Sequence, residues 1–368
     1  MHKDLVERPC CFNYAYRMRC DCCGQLSDLS AKEYFEQSLI SAMMTCCHCG
    51  EQIHFGPNVL GIRTDDDPAL DNTQISRLAW YHTSTWSDWP SASYAEKIVK
   101  QVNLMKQDCH SGFEAYLSQQ SSKALHLGTY EAAIENMLRR MHDQDDAASK
   151  FYLYRVRLAV RPNRINNNYR DENYEPASQL TLFDLDRDNF DAVRYLNVHE
   201  AMGSLSLAVR PTAIHSIQMM PLSFPNYSYT VPAALGRELV RLHTTDAELR
   251  AEAKKWAQYT APELQMIKFG LRADPEGIGS CVKKNSERSW QVWKEAENLL
   301  SNQFLTDVSS VVVEDFYLAI TDWQRKTNAT INEFTDRFAH LAYLLTNAND
   351  VIHAIASQPV RLMRQVDA

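Results

Sequence analysis

The chain has 368 residues, more than one ordinary hydrophobic core accommodates, so we expect two or three domains. Hydrophobic residues make up 45% of the sequence and charged residues 23%, which excludes an intrinsically disordered chain. The formal net charge of −8 argues against a protein that coats nucleic acid through bulk electrostatics, although it is compatible with a local basic groove. No apolar run is long enough to span a membrane and the N-terminus lacks a signal-peptide pattern, so we expect a cytoplasmic protein without membrane contact.

Cysteines are concentrated near the N-terminus, where eight of the ten lie within the first 49 residues. This clustering indicates metal ligation in a reducing compartment. Two matching motifs, Cys20-x-x-Cys23-Gly24 and Cys46-x-x-Cys49-Gly50, are separated by 22 residues. The spacing lets two thiolates reach one tetrahedral ion, and each glycine relieves crowding where the backbone turns. The sequence therefore predicts a closed, structural zinc site with four ligands: Cys20, Cys23, Cys46 and Cys49.

The first predicted domain, residues 1–64, contains this site and ends in an acidic linker. Between the cysteine pairs, Ser30-x-x-Glu33 predicts the start of a helix through a capping box. Cys22, Cys47 and His48 lie in the same turns and are alternative members of the ligand set.

The second predicted domain, residues 72–228, alternates strand-like runs with helical ones. Strands are predicted at 79–84, 123–127, 151–160 and 204–209, and helices at 93–106 and 130–142. These elements follow no regular βαβ order, so they indicate an α+β domain.

The third predicted domain, residues 232–368, is helical. Three capping-box patterns predict helix starts, at Thr245-x-x-Glu248, Thr260-x-x-Glu263 and Thr330-x-x-Glu333. Trp290 and Trp293 are expected in the core of this domain.

Three motifs of the middle domain carry polar groups suited to binding a nucleotide. Trp80–Thr85 places a histidine beside hydroxyls at a strand end, where it can hydrogen-bond a ribose or an amide. Leu125–Thr129 ends in a glycine turn before a helix, and Tyr195–Ser206 places one glutamate and several hydroxyls before a strand.

In this order and spacing, the three motifs resemble those of the ADP-ribosyltransferase superfamily, of the diphtheria-toxin and poly-ADP-ribose-polymerase type. The resemblance implies a split β-sheet domain that uses NAD as co-substrate, with Glu200, His82 and His126 as the catalytic residues. Two positions depart from the family pattern: His126 stands where a tyrosine is expected, and Glu200 lies further ahead of its strand.

The chemistry implied by the resemblance is cleavage of the bond between nicotinamide and ribose. That reaction passes through an oxocarbenium-like transition state, which a nearby carboxylate stabilises. The residues expected to bind NAD are Tyr81, His82, Thr83, Ser84, Leu125, Gly128, Thr129, Asn197 and Ser204.

An arginine-rich strand and loop suggests the acceptor. Guanidinium groups contact phosphates and a tyrosine stacks on an unpaired base, so RNA or single-stranded DNA is favoured over protein. The residues expected to bind it are Arg155, Arg157, Arg161, Arg164 and Tyr169. The architecture also resembles phage-defence toxins of this superfamily, which implies an antitoxin or chaperone partner.

Two other functions remain open at this level. One is a non-enzymatic zinc-ribbon protein that binds nucleic acid or a partner, and the other is an NAD glycohydrolase with water as acceptor. The sequence has neither a Walker phosphate loop nor a dinucleotide-binding fingerprint, so nucleoside triphosphate hydrolysis and Rossmann-type hydride transfer are excluded.

Overall fold

A computed structural model describes residues 5–55, 60–90, 122–144, 146–222, 229–256, 259–274 and 277–363. The chain forms two compact units. The first comprises Met1–Ser223, Val308–Phe316 and Asn347–Ala368, and the second comprises Phe224–Asp307 and Tyr317–Thr346. Residues 64 and 72, the predicted boundaries between the first two domains, both lie within the first unit. The division into three domains stays a prediction.

The fold is mixed α+β, as the sequence predicts. Among the described residues, no helix is both long and apolar enough to cross a bilayer.

Two small hairpins form the cysteine-rich segment. β1 (Tyr16–Arg19) pairs antiparallel with β2 (Leu26–Leu29), and β3 (Met43–Thr45) pairs antiparallel with β4 (Gln52–His54). Between the hairpins lies α1 (Ala31–Ile40), whose start is the predicted capping box of Ser30 and Glu33. Each hairpin turn contains one Cys-x-x-Cys-Gly motif, because the cysteines fall directly between the paired strands.

Two four-stranded sheets make up the rest of the first unit, with strand orders β6-β10-β9-β8 and β12-β11-β7-β5. The strands are β5 (Trp80–Ser84), β6 (Leu125–Leu127), β7 (Tyr152–Leu158), β8 (Arg170–Asp171), β9 (Ala192–Leu196), β10 (Leu205–Val209), β11 (Ile214–Pro221) and β12 (Arg361–Leu362). β5 and β6 are edge strands of different sheets, and they meet at an isolated antiparallel bridge between Tyr81 and Gly128. A shared hydrophobic cluster, which includes Trp80, Tyr154 and Leu207, packs beneath both sheets.

Short helices cover the sheets. α2 (Tyr130–Asp143) begins at Thr129, whose side chain accepts a hydrogen bond from the Ala132 N–H, and it packs against β5. The other helices here are α3 (Leu182–Arg187) and α9 (Ala348–Ala356). The predicted helix at 93–106 lies outside the described residues.

The second unit is helical. Its helices are α4 (Ala233–Ala253), α5 (Ala261–Lys268), α6 (Ile278–Phe304) and α8 (Ile331–Thr346), while α7 (Ser310–Thr327) contributes its residues from Tyr317 onward. The capping boxes of Thr260 and Thr330 are confirmed, since each hydroxyl bonds the Glu three residues later.

Two expectations for this unit are wrong. Thr245 does not start a helix: it lies inside α4, and its hydroxyl donates to the Arg241 carbonyl. A capping-box pattern is local, and here the longer helical run continues through it. Trp290 is 66% exposed rather than in the core.

Arg194 holds the irregular loops of the first unit together. It lies on β9, is fully buried, and its guanidinium donates to backbone carbonyls of Ala69, Asn166 and Asn167 and to the Asn72 side chain. Burial lowers the pKa of Arg194, and Asp67 and Asp71 counteract that effect. One side chain therefore satisfies carbonyls from two separate loops.

Replacing Arg194 by Met should destabilise the first unit. The change leaves buried carbonyls without donors, and we expect a loss of about 3 kcal/mol in the free energy of unfolding. Urea titration followed by circular dichroism measures it. Arg187→Met is the control, because the Arg187 side chain is 54% exposed and pairs with Asp184 and Asp188 at the surface. Equal stability of the two variants would contradict the role of Arg194.

Candidate functional site

Four cysteine sulfurs converge between the two hairpins. The Sγ atoms of Cys20, Cys23, Cys46 and Cys49 all lie within 4.8 Å of one another. Two of the separations are 3.6 Å (Cys20 to Cys49) and 3.7 Å (Cys23 to Cys46). Tetrahedral coordination with metal–sulfur bonds of about 2.3 Å places sulfurs about 3.8 Å apart. These four residues can therefore hold one metal ion.

The two turns that present the cysteines have the same backbone geometry. Gly24 N–H donates to the Cys20 carbonyl at 2.8 Å, and Gly50 N–H donates to the Cys46 carbonyl at 3.0 Å. Both glycines have positive φ, 70° and 80°, a region that other residues rarely adopt. The Cys-x-x-Cys-Gly motif is therefore a requirement of the turn as well as of the ligand set.

One thiol has hydrogen-bond donors arranged to favour its ionised form. The backbone N–H of His48 lies 3.4 Å from Cys46 Sγ, and the Ser27 hydroxyl lies 3.8 Å from it. The backbone amides of His48 and Cys49 lower the pKa of Cys46 to about 6. The thiolate is the form that binds a metal.

The alternative ligands lie outside the four-cysteine cluster. His48 Nε2 donates to the Leu26 carbonyl at 2.9 Å, and Cys47 Sγ contacts the Ser27 hydroxyl at 3.4 Å. Cys22 is exposed. The ligand set that the spacing predicts is thus the one that the described residues bring together.

A second site is a cavity of about 360 Å³ where β5 and β6 meet beneath α2. Each of the three sequence motifs contributes to it: His82 comes from β5, His126 from β6, and Glu200 from the loop between β9 and β10. The lining residues are Tyr81, His82, Thr83, His126, Leu127, Gly128, Ala132, Ala133, Asn136, Arg139, Gln144, Glu172, Ser178, Tyr195, Asn197, His199, Glu200 and Ser206.

His82 is held as a neutral imidazole. Its Nδ1 lies 3.0 Å from the His126 carbonyl, which can only accept, so Nδ1 carries the proton and Nε2 the lone pair. The ring stacks on Trp89, with centroids 4.2 Å apart. Burial lowers the pKa of His82 to about 3, with a smaller contribution from the Arg140 charge.

His126 is neutral for the same reason. Burial, with a smaller contribution from the Lys123 charge, lowers its pKa to about 4. Its Nδ1 lies 3.1 Å from the Tyr195 hydroxyl, and its buried Nε2 has no hydrogen-bond partner within the part of the chain that the structure describes.

The Glu200 carboxylate is fixed on one side only. Oε1 accepts from Arg139 Nη1 at 2.6 Å and from Asn136 Nδ2 at 3.1 Å, and both residues lie on α2. No described residue hydrogen-bonds Oε2. The arrangement sets the direction of the carboxylate and leaves one oxygen for a ligand.

The loop that carries Glu200 is anchored by a buried carboxyl group. Ala201, at a positive φ of 46°, donates its N–H to Glu135 Oε2 at 2.6 Å. Tyr14 also donates to Glu135. Burial raises the pKa of Glu135 to about 8, although the Ala201 N–H opposes that rise.

A second carboxylate of the cavity belongs to Glu172. It accepts from the backbone N–H groups of Ala177 and Val198 at 3.2 and 3.3 Å. Burial raises its pKa. The sequence motifs include neither Glu172, Arg139 nor Asn136, because each of these residues reaches the cavity through long-range packing.

Four residues expected to bind NAD do not line the cavity. Ser84 accepts from the Trp86 N–H, Thr129 caps α2, and Leu125 packs partly against the core. Ser204 is buried beside the loop, with a hydroxyl that has no partner among the described residues. Their roles stay predictions.

The arginine-rich segment lies apart from the cavity lining. Arg155 is buried and pairs with Glu7 and Gln218, and Arg164 pairs with Asp191 at 2.9 Å. The other members differ in exposure: Arg161 is exposed, Arg157 is half-buried, and Tyr169 packs partly against the core. Binding of nucleic acid by these residues stays a prediction.

No protein-family model, curated protein or solved structure matches this chain. The assignment of function therefore depends on the geometry of the two sites.

Replacing Cys20 by Ser should remove the bound metal. We expect about one equivalent of metal per wild-type chain by elemental analysis, and a substoichiometric amount in the variant, because three thiolates hold the ion weakly. Cys22→Ser is the matched control, since it alters an exposed cysteine in the same turn. Equal metal content in the two variants would refute the ligand set.

The half-buried His82 should make the protein acid-sensitive. Its pKa is about 3 when folded and about 6.5 when unfolded, so the unfolded chain binds more protons between those values. Stability is therefore fully present above pH 6.5 and falls as the pH drops toward 3. Between pH 8 and pH 5 this residue should account for about 2 kcal/mol of lost unfolding free energy.

His82→Asn tests this effect, because the Asn amide can replace the Nδ1 donor without titrating. Urea unfolding at the two pH values should show a smaller loss in the variant than in wild type. The exposed His54→Asn serves as control and should keep the wild-type loss. An identical pH dependence for all three proteins would rule out a neutral His82 with a lowered pKa.

Proposed function

We propose that the chain is an ADP-ribosyltransferase that transfers ADP-ribose from NAD to a macromolecule. The observation that carries the proposal is the meeting of His82, His126 and Glu200 in one cavity. These residues come from three separate motifs, and the resemblance to the superfamily assigns all three to one active site. Convergence of distant motifs is not a consequence of local sequence pattern, so it supports a common role.

Glu200 suits the role of the catalytic carboxylate. When NAD is bound, cleavage of its nicotinamide–ribose bond develops positive charge on the ribose. Arg139 and Asn136 hold Oε1, so the direction of Oε2 is set before any ligand arrives. A pre-oriented carboxylate stabilises developing positive charge without reorganising.

The two histidines support the same chemistry through their lack of charge. Both have lowered pKa values, so neither places a cation in the cavity near pH 7. His82 Nε2 offers a lone pair, which suits a ribose hydroxyl. In this proposal the nicotinamide leaves with the electron pair of the broken bond, and the acceptor nucleophile bonds to the ribose carbon and loses its proton.

The proposed acceptor is a nucleic acid, RNA or single-stranded DNA. Within the arginine-rich segment, Arg161 is exposed and can reach a phosphate, whereas Arg164 pairs with Asp191. Arg155 does not contact the acceptor in this proposal, since it is buried between Glu7 and Gln218. The role of phage-defence toxin, with an antitoxin or chaperone partner, comes from the resemblance alone.

The metal of the four-cysteine site is proposed to be zinc. Four thiolates in a tetrahedral arrangement suit Zn²⁺, and a complete set of protein ligands leaves no open position for substrate. The ion would therefore stabilise the two hairpins and take no part in the reaction.

Glu200→Gln should lower transfer of labelled ADP-ribose by about 10²- to 10³-fold, because the amide cannot stabilise positive charge as a carboxylate does. The assay incubates purified protein with labelled NAD and lysate, then splits the sample for nuclease and protease treatment. Glu175→Gln is the control, because Glu175 is an exposed carboxylate outside the cavity.

The fate of the label separates the candidate functions. Label lost only with nuclease supports a nucleic-acid acceptor, and label lost with protease moves the acceptor to protein. Free ADP-ribose without labelled macromolecule indicates an NAD glycohydrolase. Undiminished transfer by Glu200→Gln contradicts the proposed role of Glu200. If the wild type releases no nicotinamide, the function that remains is that of a zinc-bearing binding protein.

A further inference from the structure

The second unit contains a groove that is lined by an exposed tryptophan. The groove has a volume of about 560 Å³, and its lining residues come from α6, α7 and α8. Trp293 and Phe334 pack edge to face within it, with ring centroids 5.2 Å apart. Trp290, three residues before Trp293 on α6, also lines the groove and is 66% exposed. Its indole therefore offers a flat aromatic face on which a planar ligand can stack.

Polar side chains of the groove are not used within the protein. Helical hydroxyls elsewhere in this unit donate to the carbonyl four residues earlier, and these belong to Thr244, Thr245, Ser301 and Thr327. In contrast, the hydroxyls of Ser286, Ser289 and Thr321, which line the groove, make no hydrogen bond to the described part of the chain. The side-chain amide of Gln324 makes none there either. Such groups can donate and accept, so they suit a ligand with polar edges.

The groove also has two cationic side chains at its surface. Arg325 is 73% exposed and lies 3.7 Å from Asp322, and Lys294 is 46% exposed and lies 2.7 Å from Glu297. Exposed ion pairs of this kind contribute little free energy, so a phosphate can replace the carboxylate as the partner of the cation. The whole chain has a net charge of −8, so these cations do not reflect a general excess of basic residues.

The composition of the lining distinguishes between classes of ligand. Among the described residues that line the groove, the apolar ones are all aromatic and the others are polar or charged. A groove that takes the apolar face of a peptide helix needs aliphatic and aromatic contacts along its length. An aromatic face with hydroxyls, an amide and cations around it is instead the combination that binds single-stranded nucleic acid.

We propose that this groove binds single-stranded nucleic acid, with one unpaired base stacked on Trp290. The hydroxyls of Ser286, Ser289 and Thr321 contact the edge of the base or the sugar, and Arg325 contacts a phosphate. The site itself does not depend on NAD chemistry. Its role, which is to hold the acceptor strand of the transfer reaction, rests on the proposed function.

This site is separate in sequence and in unit from the arginine-rich segment. That segment belongs to the first unit, whereas every described residue lining the groove belongs to the second. Arg161→Gln should therefore leave binding through Trp290 intact. The sequence analysis misses the groove because it places Trp290 in the core.

The first test measures binding of a short single-stranded oligouridine to the intact protein by fluorescence anisotropy, without NAD. Trp290→Ala should weaken binding about tenfold, because the base loses its stacking partner, and Trp290→Phe should retain most of the affinity. Phe269→Ala is the matched control, since Phe269 is 68% exposed in the same unit and does not line the groove. Equal affinities for wild type and Trp290→Ala overturn the proposal.

The second test separates base stacking from attraction between charges. Oligouridine annealed to its complement has no free base faces along its length, so wild type should bind it about tenfold more weakly than the single strand. Equal binding of the two forms overturns the stacking contact. A glutamate peptide that displaces oligouridine at equal concentration would identify an acidic-peptide site and also overturns the proposal.

The phosphate contact has its own measurement. Arg325→Gln should reduce the slope of log affinity against log salt concentration by about 0.7, the value for one phosphate contact to a single strand. Arg237→Gln is the control, because Arg237 is exposed on α4, which contributes no residue to the described lining. An unchanged slope in Arg325→Gln rules out the contact.

The results also separate this site from the proposed transferase. Oligouridine binding that requires Trp290, together with no nicotinamide release, supports the site and refutes the transferase. Active transfer of ADP-ribose, together with unchanged oligouridine binding by Trp290→Ala, refutes the site and leaves the transferase.

Discussion

The two four-stranded sheets of the first unit meet through a reciprocal pair of backbone hydrogen bonds between Tyr81 and Gly128. Tyr81 N–H donates to the Gly128 carbonyl at 2.9 Å, and Gly128 N–H donates to the Tyr81 carbonyl at 3.0 Å. A side chain at position 128 would clash, because its Cβ would lie 2.7 Å from the Ala132 Cβ and 3.0 Å from the Ser206 hydroxyl. This joint brings the His82 ring against the His126 carbonyl, and so defines the floor of the cavity.

A second constraint links the cavity to the cysteine-rich segment. Glu135, buried on α2, accepts from the Ala201 N–H in the loop that carries Glu200 and from the Tyr14 hydroxyl just before β1. From Tyr14, aromatic contacts continue through Tyr16 to Tyr34, whose ring stacks on Tyr16 at 4.0 Å. The hairpin that carries Cys20 and Cys23 is therefore connected, through Tyr16 and Tyr14, to the same helix that orients the Glu200 carboxylate.

The sequence reveals those parts of the molecule that depend on local chemistry. The clustering of the four cysteines follows from spacing and from the glycines of the turns. The strand predicted over 151–160 follows from its aromatic and β-branched residues, and the structure has it as Tyr152–Leu158. The capping box of Thr260 is local and is confirmed, but the same pattern at Thr245 fails because α4 continues through it. The position of a residue in a sequence pattern does not specify its neighbours in the fold. For this reason the sequence analysis places Trp290 in the core, whereas the structure exposes it.

Sequence reasoning predicts only some of the residues that line the cavity. Its three principal side chains belong to motifs with hydroxyls and glycine nearby, and these can be recognised. Arg139, Asn136 and Tyr195 reach the cavity through the packing of α2 and the pairing of β9 with β10, which no local pattern specifies. For Arg155 the sequence predicts a contact that the fold does not leave open. The arginine was expected to bind phosphate, but it is buried and donates to Glu7.

The central claim is that this cavity binds the nicotinamide riboside part of NAD. The most direct measurement is a crystal structure of the intact protein with a non-hydrolysable carbocyclic NAD analogue. The account predicts electron density for the nicotinamide and its adjoining ring among His82, His126 and Glu200. Density for the analogue elsewhere on the molecule, with an empty cavity at saturating concentration, would contradict it.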